Sequence, residues 1–219
     1  MRCHSRILLT LLIALVAVPA WAGNWSTYLG DNSRSGYTPD SIETPLTPIW
    51  TFVPNVPPDP AWTQPAKEAA RVRFDDAFHV AVSDGRAYFG SSGDNQVYAL
   101  DTATGKVLWT FFTDGPVRLA PTVADGLVYF GSDDGFAYCL DAERGELVWK
   151  HRAADNEDRV IGHGRMISLW PARTGVIVMD GVAYFGAGVF PSESVYVCAV
   201  DAKTGARLWR NDVTGERGP

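Results

Sequence analysis

Residues 99–109 read Ala-Leu-Asp-Thr-Ala-Thr-Gly-Lys-Val-Leu-Trp, and the same spacing of Asp, Gly and Trp returns at residues 139–149 and 199–209. The repeated residues are Asp101, Gly105, Trp109, Asp141, Gly145, Trp149, Asp201, Gly205 and Trp209. An Asp carboxylate accepts hydrogen bonds from turn N–H groups, and Gly takes the positive φ that a tight turn requires. Each copy therefore predicts a turn that leads into a strand bearing a Trp.

A second landmark precedes each copy. Residues 83–90 read SDGRAYFG, and related sequences follow as ADGLVYFG at 124–131 and MDGVAYFG at 179–186. An Asp-Gly pair between two β-rich runs is typical of a two-residue hairpin. Two landmarks that recur together in three copies indicate an internal repeat.

Each repeat has room for four short strands. In the first repeat, residue alternation and the turn positions predict strands at His79–Ser83, Arg86–Ser91, Gln96–Asp101 and Lys106–Phe112. Four strands in about 40 residues form one blade of a β-propeller. We therefore predict an all-β propeller of four-stranded antiparallel blades, with blades at about 77–113, 117–153 and 173–212.

The chain also carries an isolated strand pattern and an insertion. Residues 47–52 (TPIWTF) resemble the last strand of a further blade, of the kind with which propellers close their ring. Residues 155–174 hold most of the extra length between the second and third repeats. Three blades and one strand fall short of the 4–8 blades of closed propellers, so we expect part of a larger propeller. The alternative is a short chain that oligomerises into a ring, which is disfavoured because open blade edges invite aggregation.

The first residues follow the pattern of an export signal. Two arginines and an apolar run at 7–18 precede Ala20-Trp21-Ala22, which fits an A-x-A cleavage site. This order predicts a signal peptide at 1–22 and a periplasmic or secreted chain of 23–219; the alternative is a buried N-terminal helix. The run is shorter than the roughly 20 apolar residues that cross a bilayer, and the cleavage site has no lipid-accepting Cys. We therefore expect no membrane insertion after cleavage.

The mature sequence is acidic. Outside residues 1–22, 17 Lys and Arg residues stand against 25 Asp and Glu residues. Nucleic acids and anionic membranes attract basic surfaces, so neither is expected as the main partner.

The pattern Ala-x-Asp-x-x-Thr-Gly-x-x-x-Trp resembles the tryptophan-docking motif of the pyrroloquinoline-quinone-repeat (quinoprotein-like) superfamily of β-propellers. The first and third copies fit it fully, whereas the second has Cys139 for Ala and Arg144 for Thr. The resemblance covers residues 77–212, and residues 25–40 are similar to the family's usual N-terminal lead-in. It implies that Trp109, Trp149 and Trp209 pack between neighbouring blades.

The resemblance implies two different kinds of function. Some members are dehydrogenases that hold pyrroloquinoline quinone and Ca²⁺ over the channel, and others use the repeats only for protein contacts, as the outer-membrane assembly scaffold does. The dehydrogenases typically stack the quinone against a vicinal Cys-Cys disulfide, which this sequence lacks. Cys139 and Cys198 are expected on opposite sides of their sheets, so a disulfide between them is not expected. The quinone and Ca²⁺ remain implied by the resemblance alone.

Candidate binding residues come from the loops before each blade, where a propeller presents its channel mouth. Seven residues before the Asp-Gly hairpins, the register places Ala77, Arg118 and Arg173. The candidate ligand-binding residues are Arg73, Asp75, Asp76, His79, Arg118, His163, Arg165 and Arg173. Because guanidinium groups bind carboxylates bidentately, this pattern predicts a small anionic ligand or an acidic protein partner.

Two alternatives weaken that prediction. The arginines could pair with Asp75, Asp76 or Glu157 and only order the loops. Asp133-Asp134-Gly135 is acidic enough for Ca²⁺, yet its hairpin position predicts a turn. The histidines lack metal-ligand spacing, so we predict no metal site and no catalytic residue.

The sequence therefore predicts an exported propeller that acts as a binding or interaction module, with its site at an arginine-rich channel mouth. The alternatives are a quinone-dependent alcohol or sugar dehydrogenase, and the sensing domain of a larger chain.

Overall fold

A computed structural model describes residues 23–61, 75–162, 164–189 and 191–212. The predicted signal peptide at 1–22, Arg73 and His163 lie outside the described residues. The described part of the chain forms three four-stranded antiparallel sheets, in each of which the strands follow chain order. These sheets are the blades of the propeller predicted from the sequence.

The strands of the first blade are β1 Val80–Ser83, β2 Arg86–Ser91, β3 Gln96–Asp101 and β4 Val107–Phe112. The second blade contains β5 Thr122–Ala124, β6 Leu127–Gly131, β7 Phe136–Asp141 and β8 Leu147–Arg152. An inserted hairpin follows, formed by β9 Arg159–Gly162 and β10 Arg165–Ser168. The third blade contains β11 Val176–Met179, β12 Val182–Ala187, β13 Tyr196–Asp201 and β14 Arg207–Asn211, with a 3-10 turn at Pro191–Glu193.

The Asp-Gly pairs close the hairpin between the first two strands of each blade. Asp84, Asp125 and Asp180 have φ values of 50°, 49° and 51°, and the glycine that follows each has a φ of 74°, 74° and 76°. Positive φ at both central positions defines the type I′ turn, whose twist matches that of the flanking strands. The sequence landmark thus sets the register of each inner strand pair.

The Asp-x-x-x-Gly-x-x-x-Trp motif closes the turn between the third and fourth strands. Asp101 Oδ1 accepts a hydrogen bond from Thr104 N at 2.8 Å and another from Thr104 Oγ1 at 2.7 Å. The third copy repeats both bonds at 2.8 Å. In the second copy Arg144 replaces the Thr, so Asp141 receives the Arg144 N–H bond at 2.8 Å without a hydroxyl bond at that position.

The repeated Trp of each of the first two blades packs on the repeated Gly of the next blade. A Cβ built on Gly145 would lie 2.5 Å from Cδ2 of Trp109, and one on Gly205 would lie 2.7 Å from Cδ2 of Trp149. Both glycines also have a positive φ, of 71° and 70°. A side chain there would clash with the indole and strain the backbone, which explains the invariant spacing of Gly and Trp among the copies.

The same indoles donate hydrogen bonds across the blade interface. Trp109 Nε1 donates to Ala142 O at 3.1 Å, and Trp149 Nε1 donates to Ala202 O at 2.8 Å. The Tyr129 hydroxyl shares Ala202 O at 3.2 Å. Each interface is therefore fixed by stacking and by hydrogen bonds at one turn.

Trp50 makes this contact with the first blade. Its Nε1 donates to Thr102 O at 2.7 Å, and its ring covers Gly105. The predicted strand at 47–52 nevertheless pairs with no strand in the described part of the chain. The reason is that the last strand of a blade hydrogen-bonds only to the third strand of the same blade. The described residues before Thr47 form no strand that could be this partner. The turn glycines of the three blades are covered by Trp50, Trp109 and Trp149. No described turn is left for Trp209 to cover, and its side chain is 47% exposed.

Two apolar cores lie between neighbouring blades. The largest buried side chains between the first and second blades are Tyr88, Phe130, Tyr138 and Leu140. Those between the second and third blades are Tyr129, Trp149, Trp170, Val176 and Phe185. These cores fix the blades against one another and so position the loops at both ends of the inner strands.

The segment 24–34 crosses the innermost strands of all three blades. Trp25 exchanges two backbone hydrogen bonds with Val82 of β1, each 2.8 Å long. Ser26 O accepts a hydrogen bond from β5 at 2.7 Å, and the Asn32 amide donates to a carbonyl of β11 at 2.7 Å. The segment also reaches the residues that precede these strands, since Arg34 Nη2 donates to Thr174 O at 3.1 Å and Tyr28 packs on His79.

Candidate functional site

Two of the predicted arginines converge on one buried carboxylate. Arg118 precedes β5 and Arg173 precedes β11, so both lie where inner strands begin. Arg118 Nε is 2.8 Å from Asp133 Oδ2, and Arg173 Nε is 2.6 Å from Asp133 Oδ1. Arg173 Nη2 donates a further hydrogen bond of 2.6 Å to Asp133 Oδ2. One carboxylate therefore joins the mouth loops of the second and third blades.

Asp133 occupies the turn between β6 and β7. Gly135 N donates to Ser132 O at 3.1 Å and Gly135 has a φ of 91°, as a tight turn requires. The sequence predicted this turn but missed the role of its carboxylate, whose side chain is 1% exposed. The role of Asp133 could have been predicted from its position, because an acidic residue in a turn at the end of the blades where Arg118 and Arg173 lie is a natural partner for both.

Arg118 also binds residues from the chain before the first blade. Its Nη1 lies 2.7 Å from Asp75 Oδ2 and donates to Asp59 O at 2.7 Å. Asp75 Oδ2 in turn accepts a hydrogen bond from Ala61 N at 2.7 Å. The structure thus brings the predicted pair Asp75 and Arg118 together as a buried ion pair, as the loop-ordering alternative anticipates.

Arg165 connects the inserted hairpin to the first blade. Its Nε lies 2.8 Å from Asp59 Oδ2, and its Nη1 donates to Asn95 Oδ1 at 2.9 Å. Its Nη2 donates to Gly93 O at 2.8 Å. With all three guanidinium nitrogens engaged, Arg165 holds the hairpin across the mouth.

A cavity of about 200 Å³ lies beneath this hairpin. Arg118 and Arg173 contribute to its wall. The inserted hairpin and the residue after it contribute Val160, Ile161, Gly162, Ile167, Ser168 and Leu169. Ala61, Pro171 and Val189 complete the described lining. The cavity is therefore mainly apolar with two cationic side chains at one side, a combination typical of small-ligand sites.

The other predicted residues lie outside the described lining of the cavity. Asp76 is exposed, and the half-buried His79 ring packs edge-on against Tyr28, with centroids 5.4 Å apart. Glu157 pairs with Arg152 at 2.5 Å rather than with a mouth arginine.

Among the described residues near the cavity, the positive charges of the ion-paired arginines equal the negative charges of their carboxylate partners. Three arginines are paired with three carboxylates, and the set comprises Arg118, Arg165, Arg173, Asp59, Asp75 and Asp133. Removing such charges from water is costly, and their mutual attraction offsets that cost only when each is well hydrogen-bonded. The cluster is thus an electrically neutral and tightly bonded unit, not a free positive patch.

The described residues do not provide a cluster of carboxylates for Ca²⁺. Calcium takes six to eight oxygen ligands, and the described residues include no group of three His, Cys, Asp or Glu that could hold a metal. Cys139 and Cys198 are buried free thiols that line the core between the second and third blades. Burial raises the pKa of Cys139 to about 12 and that of Cys198 to about 11.

Comparisons with known proteins show similarity to β-propellers of the pyrroloquinoline-quinone-repeat family. The family model PQQ_2, described as outer membrane protein assembly factor BamB, matches residues 49–219. The dehydrogenase subunit of a quinone alcohol dehydrogenase from Gluconobacter oxydans is 34% identical over 137 residues, which are 56% of this chain and 17% of that protein. The outer membrane protein assembly factor BamB of Yersinia pestis is 28% identical over 137 residues, covering 60% of this chain and 32% of that protein.

Solved structures share the fold. The quinohemoprotein alcohol dehydrogenase of Comamonas testosteroni superposes with a TM-score of 0.62 at 22% identity, over 86% of this chain and 27% of that one. The chain therefore spans less than a third of the length of these relatives. Within the described residues, no helix is both long and apolar enough to cross a membrane. From the family match and the repeated blades, the chain belongs to the pyrroloquinoline-quinone-repeat family of β-propellers.

Proposed function

We propose that this chain is an exported binding module that takes an anionic ligand in the cavity at its channel mouth. The observation that carries the proposal is the convergence of Arg118 and Arg173 on Asp133 at the wall of that cavity. Export rests on the predicted signal peptide at 1–22, and a cell fractionation that finds a chain beginning near Gly23 outside the cytoplasm would test it.

The ion pairs prepare the arginines for binding. Arg173 uses Nε and Nη2 for Asp133, which leaves Nη1 without an acceptor among the described residues. Its side chain is 14% exposed, so it is accessible yet held in one orientation. A side chain that is already ordered loses little entropy when a ligand binds. The loop-ordering role of the arginines is therefore compatible with a binding role.

Titration calorimetry of the full chain tests the proposal with a panel of small carboxylates, phosphate and an acidic peptide. We expect binding of at least one anion, weakened about tenfold to a hundredfold in Arg173→Gln, because a hydrogen bond to a charged group is lost. Arg144→Gln is the matched control, since the Arg144 side chain is 64% exposed and lies in a blade turn. No binding to any anion, or equal binding by both variants, would refute the proposal.

The second candidate is part of a quinone-dependent dehydrogenase. It is favoured by the 34% identity to the Gluconobacter oxydans subunit. In such an enzyme the Ca²⁺ ligands would have to come from outside the described residues. Incubation of the full chain with pyrroloquinoline quinone and Ca²⁺ tests this candidate through retained visible absorbance after gel filtration and through oxidation of alcohols or aldoses. A colourless, inactive protein would exclude it.

A further inference from the structure

The cavity has two chemically distinct sides. Arg118 and Arg173 form the polar side, and the larger part of the described lining is apolar. Val160 and Ile167 come from the inserted hairpin, Leu169 follows it directly, and Val189 comes from the loop after β12. An occupant that satisfied both sides would need a charged end and an apolar body.

The charge balance limits the number of charges on that occupant. Asp133 and Asp75 already neutralise Arg118 and Arg173, with ion pairs of 2.8 Å and 2.6 Å to Asp133 and of 2.7 Å to Asp75. One added carboxylate can accept a hydrogen bond from the remaining guanidinium N–H groups. A second or third carboxylate would add further negative charge to this neutral cluster, and an uncompensated buried charge is strongly unfavourable.

The size of the cavity limits the apolar body. A cavity of about 150 Å³ lined by aliphatic and aromatic side chains is known to hold benzene. The cavity beneath the hairpin, at about 200 Å³, has room for a slightly larger group. It is smaller than the roughly 300–1,000 Å³ of pockets that enclose drug-sized ligands.

We infer that the ligand is a compact monocarboxylate with an apolar body, of the size of an aromatic acid or a short fatty acid. The inference rests on the proposed function and makes it more specific. Its carboxylate lies against Arg173 and Arg118, and its apolar body lies against Ile167 of the inserted hairpin and Leu169 directly after it. A compact tricarboxylate, by contrast, is excluded by the neutral cluster.

Calorimetry with straight-chain monocarboxylates of two to eight carbons tests the inference on the full chain. We expect affinity to rise about fourfold for each methylene until the cavity is filled, because each buried methylene contributes a nearly constant free energy. Benzoate should bind with the affinity of the longer acids. Citrate, used as the tricarboxylate, and alkyl alcohols of matched length should bind at least tenfold more weakly than the best monocarboxylate.

Two hairpin variants locate the apolar body. Leu169→Asn should flatten the dependence on chain length while leaving acetate affinity unchanged. Met166→Asn is the matched control, because Met166 is 54% exposed on the same hairpin and lies outside the described cavity lining. Thermal unfolding of both variants would verify that the fold is retained.

The outcomes separate the two proposals. If citrate binds more tightly than every monocarboxylate, the further inference is wrong and anion binding at the mouth still stands. If alcohols bind as tightly as acids, or affinity does not depend on chain length, the inference is also wrong. If no anion binds, the proposed function itself is wrong.

Discussion

The two ends of the blades are built from different chemistry. At the turn end, Trp109 and Trp149 make the same neutral contacts with Gly145 and Gly205, one blade after another. At the mouth end, buried ions from two blades and from the chain before the first blade converge on Asp133 and Arg118. Replacing buried ion pairs with well-packed apolar residues often leaves stability unchanged or higher. Stability alone therefore does not account for the buried charges, and the mouth is the end of the blades where we expect a binding site.

The largest effect is expected at the mouth. Asp133→Asn should lower the free energy of unfolding by about 3–5 kcal/mol, because it leaves two guanidinium groups without their shared carboxylate. Denaturant unfolding followed by tryptophan fluorescence measures the change. The control is Glu146→Gln, whose partner Arg144 is 64% exposed and whose ion pair should contribute about 0–1 kcal/mol. Equal changes in the free energy of unfolding in both variants would mean that the buried ion pairs of Asp133 contribute no more to stability than an exposed ion pair.

A smaller effect is expected from crowding at the turn end. Gly145→Ala should lower the free energy of unfolding by about 3 kcal/mol, because a Cβ meets the Trp109 indole at 2.5 Å and the residue has a φ of 71°. Gly126→Ala has a similar φ of 74° with no atom within 4 Å, so it should cost only about 1–2 kcal/mol of backbone strain. If the two variants unfolded at the same denaturant concentration, the indole contact would contribute nothing.

A still smaller change in the free energy of unfolding is expected for the repeated Trp, and it should differ between Trp149 and Trp209. Trp149→Phe should lower the free energy of unfolding by about 2 kcal/mol, through the lost hydrogen bond to Ala202 O and the lost buried area. Trp209→Phe should lower it by about 0.5 kcal/mol or less, since Trp209 is 47% exposed whereas Trp149 is 7% exposed. Chemical denaturation of both variants gives the comparison, and a larger loss in Trp209→Phe would contradict it.

The smallest effect concerns acid stability at the turn end. A hydrogen bond from the Thr204 side chain, with another from its backbone, lowers the pKa of Asp201. A lowered folded pKa gives stability that is present above the unfolded value of about 3.9 and is lost as the pH falls through the folded pKa. Thr204→Val should therefore move the acid unfolding midpoint to higher pH. Thr102→Val, which removes a hydroxyl bonded to Gly85 O instead, should leave the midpoint nearer to that of the parent chain.

The turn end could be predicted from the sequence because its contacts are local and repeated. The Asp-Gly hairpin and the turn from Asp101 to Gly105 each lie within a few residues, so residue type and spacing determine them. The strands of the first blade lie where they were predicted, except that β1 and β4 begin one residue later. The contact of Trp109 with the second blade is repeated by Trp149 with the third, so one sequence pattern identifies both.

The mouth could be predicted only in part, because its contacts join residues far apart in the chain. Register alone placed Arg118 and Arg173 at one end of the inner strands. It could not show that both bind Asp133, since that depends on how two blades and a turn meet in space. Asp59 was missed for the same reason, as it meets Arg165 only through the inserted hairpin.

The segment that crosses the inner strands has a consequence for the order of folding. Asn32 bonds to Val178 O across 146 positions of sequence, and Arg34 bonds to Thr174 O across 140. Closing loops of this length costs more entropy than closing the local hairpins, and contacts of high sequence separation slow folding. The blades, whose contacts are mostly local, should assemble first, and the segment should then dock along their inner strands. A chain labelled near Asn32 would report this docking as a separate late step in refolding.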